Sequence, residues 1–561
     1  MKRTIKQQAI IEFMIFIALV LVINVISSFL FTRIDFTKEK RFSLSDASKN
    51  IAADLKDVVL FKIYLEGDFP SGFKRLRNAT KELLDEFRAY SNGNIQYEFI
   101  NPSADPNPKV RNDIYQQLSS QGLEPTNLQV QAEDGSTQKI IFPGALANYQ
   151  GKQVALQLLQ NQVGISPEAV LNNSVQNLEY GIANAIRKVT TKEKPAIAFI
   201  YGHGEIDTLH IGDILADFRQ TYDVRLIDLV RSIPEDLTMF KAVIVADPQT
   251  AWDEKGKFKM DQYLMNGGRI LWVMDEMNAE MDSMYEGNTL AFAKDLNLDD
   301  QLFTYGVRIN QDLVQDLNCL PIPIITGRID GKPQQQLLPW LYYPLLIPSS
   351  NNPIVHNLDG IACQFASTID TFKSEGTTKT VLLHTSAYTK VLNGPVRVSL
   401  SIMGIQPNPE QFNKPKKPIA VLVEGNFKSV FTNRLTPTML KSIKFTDKSL
   451  KPSKMIVVSD GNIIENYVAK KDTLIYPLGY DRFTNQTFAN KKFIQNAVDY
   501  LTDDSGLITV RSKELKLRLL DKAKVKAEKL QWQLINMVVP IVSVIIFGLI
   551  YYRLRKRKYA I

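Results

Sequence analysis

The chain predicts an α/β protein carrying two membrane-spanning helices. Three patterns carry that prediction. Long apolar stretches stand near both ends, Ala9 to Phe31 and Leu534 to Tyr552. Short, fully apolar runs such as AIAFIY, AVIVA and MIVVS alternate with helical spacing, the signature of strands buried on both faces of a parallel sheet. The region before them runs strand, helix, strand, helix, strand, strand, helix.

LINMVVPIVSVIIFGLIYY, 534–552, is about the length a helix needs to cross a hydrocarbon core of roughly 20 residues. Pro540 lies inside it, which spanning helices tolerate when the freed carbonyl finds another partner. Tyr551 and Tyr552 stand where interfacial aromatics gather, and the basic run Arg553 to Lys558 follows at once. The first stretch follows Lys2, Arg3 and Lys6, is too long for a cleaved signal peptide, and is followed by TRIDFTKEKRF, which has no small-x-small cleavage site. It reads as an uncleaved anchor with Glu12 and Asn24 inside. Positive residues flank both ends of both spans, so charge asymmetry nearly ties. Long loops cross regardless of charge, which favours termini inside and the middle outside.

The sequence has 561 residues, 45% of them hydrophobic and 22% charged, with net charge +8. The roughly 500 residues between the anchors suffice for two to four domains. Much of the positive excess sits beside the anchors, so it does not point to nucleic acid. Two cysteines, Cys319 and Cys363, exclude a disulfide scaffold and fit no metal spacing; a single bridge between them stays open.

In order, residues 1–8 form a cytoplasmic basic start and 9–31 the first span. Residues 32–190 form the first α/β module. Ser43 to Leu55 has helical spacing behind a Ser or Asp cap, and VVLFKIYL is a strand. Phe73 to Tyr90 is an amphipathic helix with Leu76, Leu83, Leu84 and Phe87 on one face, stopped by SNGN. Ile95 to Ile100 is the next strand, NPSADPNP a loop, and Val110 to Ser120 a helix. Strands near Leu128 to Val130 and Lys139 to Ile141 precede a long helix, Ser166 to Val189. That order suggests a thioredoxin-like module, but without Cys-x-x-Cys it carries no redox chemistry.

Residues 191–510 form the second domain, an open α/β sheet of flavodoxin/amidotransferase-like type. Its strands are Ala196 to Tyr201, Val224 to Leu229, Ala242 to Ala246, Arg269 to Met274 and Met455 to Ser459. A lobe of strand and loop, about 301–451, is inserted before the last strand. Residues 511–533 form a basic amphipathic helix running almost directly into the second span, 534–552, and 553–561 is a cytoplasmic tail.

Ligands of open α/β sheets sit at the carboxyl ends of strands. The loop Tyr201-Gly202-His203-Gly204-Glu205 lies there, with Asp207 and His210 nearby; Asp247, Asp275, Glu276 and Asp460 fall at other strand ends. His203, Glu205, Asp247, Asp275 and Asp460 are the candidate ligand-binding residues. One reading is a metal or acid–base site. The other is a tight glycine turn, with His203 and Glu205 capping the next helix. A cysteine hydrolase would need its nucleophile on a sharp strand-to-helix turn beside a His. Cys319 and Cys363 lie in the inserted lobe without that setting, and His356 and His384 stand in no motif. No G-x-x-x-x-G-K-[ST] occurs, so ATP hydrolysis by a P-loop is excluded and any energy source is a partner. No cofactor or metal is expected.

RFSLSDASKNIAADLKDVV behind an anchor, KPAIAFIYGHGE opening the sheet, and FIQNAVDYLTDDSGLITVRSKELKLRLLD before a last span with a basic tail resemble the auxiliary subunits of a family of ABC-type transport systems. Within it the likeness is greatest to the gliding-motility branch, whose members carry a substrate-binding label. The resemblance covers essentially the whole chain. It implies a bacterial inner-membrane protein with its bulk in the periplasm, working with an ABC permease, a separate ATP-binding subunit and further envelope, secretion or motility components. It brings no residue-level site. Fixation at both ends suits a non-enzymatic coupling or ligand-presenting role as well as it suits capture. The rival reading is an anchored hydrolase or ligand-binding enzyme using the GHGE loop.

Overall fold

The computed structural model of the chain describes residues 11, 13–22, 24, 43–132, 135–160, 166–233, 237–284, 287–329, 332–348, 350–414, 416–436, 438, 443–469, 473–512 and 522–559. It divides into two units, Met1–Lys513 and Glu514–Ile561. The fold is mixed α/β with several sheets.

The N-terminal module begins with α1 (Asp46–Ala53), whose cap Ser45 accepts from the Ser48 N–H. Strand β1 (Val59–Ile63) buries Val59, Phe61 and Ile63 by simple alternation. Helix α2 (Ser71–Tyr90) turns Phe73, Leu76, Leu84 and Phe87 inward at helical spacing. Strand β2 (Ile95–Phe99) pairs parallel with β1, and α3 (Pro108–Ser120) is capped by Asn107.

The two strands expected near 128–130 and 139–141 do not enter this sheet. They are β3 (Thr126–Ala132) and β4 (Gly135–Ile141), a hairpin paired only with itself. The sheet is instead completed by β5 (Gly144–Tyr149) and β6 (Lys152–Gln157), in the order β2-β1-β5-β6 with β5 antiparallel to both neighbours. Their turn is Gln150-Gly151, both at positive φ (47° and 81°), a backbone that matches the strand twist. Helix α4 (Pro167–Thr190), capped by Ser166, packs Leu178, Ile182 and Ile186 into the module's core.

The second domain is built on a seven-stranded sheet. Strands β7 (Ala196–Tyr201), β8 (Asp223–Asp228), β9 (Ala242–Ala246), β10 (Ile270–Val273) and β13 (Ser453–Val458) are parallel, in spatial order β13-β10-β9-β7-β8. Numbered within the parallel set this is 2-1-3-4-5, which puts the topological switch point between β7 and β9. One face packs Ile197, Phe199, Ile244 and Ile456 against α5 (Gly212–Thr221) and α8 (Asn490–Thr502). The other packs Ala198, Val243, Trp272 and Val457 against α6 (Glu254–Met265) and α7 (Asp299–Tyr305). Each fully buried large apolar side chain contributes about 1.5–3 kcal/mol.

The stretch 301–451 is not wholly an inserted lobe. Strands β11 (Thr377–His384) and β12 (Pro418–Gly425) extend the same sheet beyond β13, with β12 antiparallel to β13 and β11 antiparallel to β12. The segment PIAVLVEG is a continuous apolar run whose Pro-, Asn- and Thr-rich surroundings hid it. Within the remainder, Val396–Ser399 is a short strand that runs into a 3₁₀ turn at Leu400–Gly404.

In the C-terminal unit, α9 (Lys522–Tyr559) runs unbroken through Pro540. Its segment Glu528–Arg557 is, among the described residues, one helix long and apolar enough to cross a membrane. Of the expected juxtamembrane helix over 511–533, residues 511 and 512 end a 3₁₀ turn, 513–521 lie outside the described residues, and 522–533 are helical as part of α9. Of the expected first span, the apolar helix Phe13–Val22 is described, and residues 9, 10, 12, 23 and 25–31 lie outside.

Candidate functional site

Strand β7 ends in a turn that only glycine serves well. Gly202 and Gly204 sit at φ +130° and +78°, and a Cβ on Gly204 would meet Gln249 Cβ at 3.1 Å. Between them His203 is buried, stacked on Trp252 with ring centroids 4.3 Å apart and planes 13° from parallel. Its backbone N–H donates to Glu205 Oε2 at 2.7 Å. Its ring Nδ1 stands 3.4 Å from Glu205 Oε1, a separation that becomes an ion pair only when the imidazole is protonated. Neither residue caps the next helix: α5 opens at Ile211 without a side-chain cap, and Asp207 accepts from the Leu209 and His210 N–H groups instead. His210 Nδ1 lies 2.9 Å from Asp207 Oδ2 at the surface.

The other three candidates form a second, adjacent cluster. Asp247 follows β9 in the left-handed region, φ +48°, a conformation Asp tolerates better than most residues. Its Oδ1 accepts the Asp275 N–H at 3.1 Å and lies 3.3 Å from Lys294 Nζ. Asp275, after β10, accepts the Gly461 N–H at 2.7 Å, with Lys294 Nζ 4.0 Å from its Oδ2. Asp460, after β13, accepts the Gln364 N–H at 2.7 Å and is fully buried. Gln249 joins the halves, because its N–H donates to the His203 carbonyl and its amide to Asp247 Oδ2 at 2.5 Å. The structure therefore brings Asp247, Asp275 and Asp460 together and sets His203 and Glu205 beside them in a separate aromatic pocket.

The electrostatics follow from burial. Taking the Asp275 carboxyl out of water, with Asp247 beside it, raises its pKa well above the carboxylate range, and Lys294 offsets part of that. Burial pushes Asp460 up to about 7. Glu276, buried and facing Asp299, rises to about 8. Such groups hold protons near neutrality. The same carboxylates have a further neighbour that sequence reasoning missed. Cys363 lies beside Asp460 although it is remote in sequence, and burial with that carboxylate drives its thiol pKa well above the ordinary value. A thiol so shifted is not a nucleophile at neutral pH. Both cysteines are free, so no bridge joins Cys319 and Cys363.

Lys294 already supplies the counter-charge, and among the described residues no group of three or more His, Cys, Asp or Glu side chains is arranged to hold a metal ion. His384 bonds the Thr385 carbonyl through Nδ1, and the His356 carbonyl accepts from Arg511. The strand-end carboxylates tie β9, β10 and β13 together through backbone N–H groups.

Comparison with known proteins places this domain. Residues 38–148 match a domain of unknown function. An uncharacterized protein of Borreliella burgdorferi is 20% identical over 541 residues, covering 94% of each chain. Among solved structures, the mmIFT52 N-terminal domain aligns at 15% identity over 55% of this chain and 97% of its own, with TM-score 0.31. A ThuA-like protein from Bacteroides uniformis aligns at 13% identity over 57% and 97%, with TM-score 0.27. Residues 194–497, more than half of the chain and nearly all of the seven-stranded domain, match the model of the ABC-type uncharacterized transport system family. The chain belongs to that family, the auxiliary proteins of ABC-type transport systems.

Proposed function

We propose that the chain is a non-enzymatic, membrane-anchored auxiliary subunit that couples a periplasmic α/β region to an ABC permease and its separate ATP-binding subunit. The observation that carries this is the unbroken helix α9, in which the basic stretch from Lys522 and the apolar segment 534–552 are one rigid element. A helix of 38 residues transmits rotation or translation along roughly 57 Å at 1.5 Å per residue. Family membership supplies the transport system. The first apolar stretch, of which Phe13–Val22 is helical, supplies the second span in this reading. The sheet order β2-β1-β5-β6, with a parallel first pair and an antiparallel second, supports a thioredoxin-like N-terminal module. Resemblance to GldG supports a place in gliding motility. The stacking of buried His203 on Trp252, with its N–H held by Glu205, supports a structural rather than catalytic role for the GHGE loop.

The test is affinity purification of the full chain in mild detergent, with co-purifying chains identified by mass. An ATP-binding subunit and a multi-spanning permease are expected. Recovery of the chain alone in several detergents would remove the subunit reading in favour of a solitary anchored module.

A further inference from the structure

The turn Leu507–Ser512 follows the last helix of the sheet domain, yet it does not pack there alone. Leu507 and Val510 are buried in the core of the N-terminal module, in the cluster that holds Leu178, Ile182 and Ile186 of α4. Arg511 lays its guanidinium over the ring of Tyr180 on α4, 5.3 Å from the centroid, and donates to the His356 carbonyl of the second domain at 3.3 Å. Two buried carboxylates of the second domain complete the junction. Asp499 of α8 accepts from the Tyr222 hydroxyl at 2.5 Å and from the Tyr180 hydroxyl at 3.4 Å. Asp503 stands 3.6 Å from Arg187 of α4 and accepts the Ile508 N–H at 2.9 Å.

We propose that the turn Leu507–Ser512 is a key that locks the two α/β modules together, so that displacing the chain at its C-terminal side opens the interface between α4 and α8. The argument is one of shared parts. Leu507 and Val510 fill one module's core, while Asp503, the residue that ends α8, fixes the same turn to the other. Withdrawing the turn would leave a cavity in the first core, lift the Arg511 guanidinium from Tyr180 and take the Ile508 N–H from the buried Asp503 carboxylate. Buried charges that lose a partner are strongly destabilising, so these losses occur together rather than one at a time. The inference rests on the coupling reading, and gives it an internal mechanism.

The test is hydrogen–deuterium exchange on the full chain in detergent, comparing the unaltered chain with Leu507→Ala and Asp499→Asn. Each variant is expected to speed exchange at least tenfold in Pro167–Thr190 and Asn490–Thr502 together, with the central strands β9 and β10 unchanged. Faster exchange confined to 503–512, with both helices unchanged, would overturn the lock. Where Leu507→Ala fails to fold, Val510→Ala makes a smaller cavity in the same core and is read in the same way. The measurement uses the purified chain alone. Absence of an ABC partner in the affinity purification would therefore remove the coupling reading and leave the lock standing or falling on its own data.

Discussion

The carboxylate of Asp247 fills the space where residue 461 would carry a side chain: a Cβ built on Gly461 falls 2.4 Å from Asp247 Cγ. Asp247 is fixed there by Gln249, Lys294 and the Asp275 N–H, so it has no room to yield. The glycine is thus required by close approach rather than by backbone conformation.

Gly461→Ala is therefore expected to destabilise the second domain by about 1–3 kcal/mol, the usual cost of overpacking. Gly404→Ala is the control, since nothing lies within 4 Å of a Cβ there. Thermal unfolding of both variants checks the prediction; equal midpoints would show that the cluster gives way.

The pH dependence of stability carries a definite sign. Asp460 has a folded-state pKa of about 7, above its ordinary 3.8. The stability it contributes is therefore fully present below about pH 4, is lost as pH rises through the window to about 7, and is absent above it. Glu276 adds the same sign up to about 8. Asp300 and Asp504, whose pKa values are lowered by Lys257 with Arg434 and by Arg269 with Lys241, act oppositely, but only as pH falls below the ordinary carboxylate range. Asp460→Asn should flatten the pH 4–7 slope by an amount on the order of 1–3 kcal/mol. Urea titrations of both proteins across that range read the difference; parallel profiles would refute it.

His203→Ala with Glu205→Ala separates the structural reading of the GHGE loop from an enzymatic one. Removing a ring stacked on Trp252 and a buried carboxylate should lower stability by about 1–3 kcal/mol. Co-purification of transport partners and the cellular phenotype should persist at a permissive temperature. Loss of the phenotype in a folded, assembled variant would favour the enzyme.

Breaking α9 between the basic stretch and the apolar segment tests coupling. Gln531→Pro with Gln533→Gly, inside the helix just before the apolar segment, costs about 3 and 1 kcal/mol of local helix stability respectively. Expression and partner recovery are expected to stay normal while transport-linked function is lost. Retained function would show that the helix need not be continuous.

Much of the fold was legible because its signals are local. The runs AIAFIY, AVIVA and MIVVS are apolar on both faces and announce themselves as buried parallel strands. The strands GALANY and KQVALQ did not, since β5 is buried on both faces without alternation and their turn is Gln-Gly, a weaker hairpin signal than Asn-Gly. The candidate site was half legible. Topology puts every strand-end acid at one edge of the sheet, which is why Asp247, Asp275 and Asp460 converge. Nothing local says that Lys294, from the connection after β10, pairs with Asp247 and Asp275, or that Cys363 lies beside Asp460.

By itself the sequence determined the α/β class, the parallel strands and the C-terminal apolar helix, because periodicity and apolar length act within about 20 residues. Only the tertiary structure decided that β11 and β12 join the main sheet, that His203 stacks on Trp252 while the carboxylates meet elsewhere, and that Leu507 and Val510 return to the N-terminal core. These are pairings across tens to hundreds of residues. They are fixed by which apolar faces bury one another and which buried charges find partners, and neither is written in any single stretch of chain.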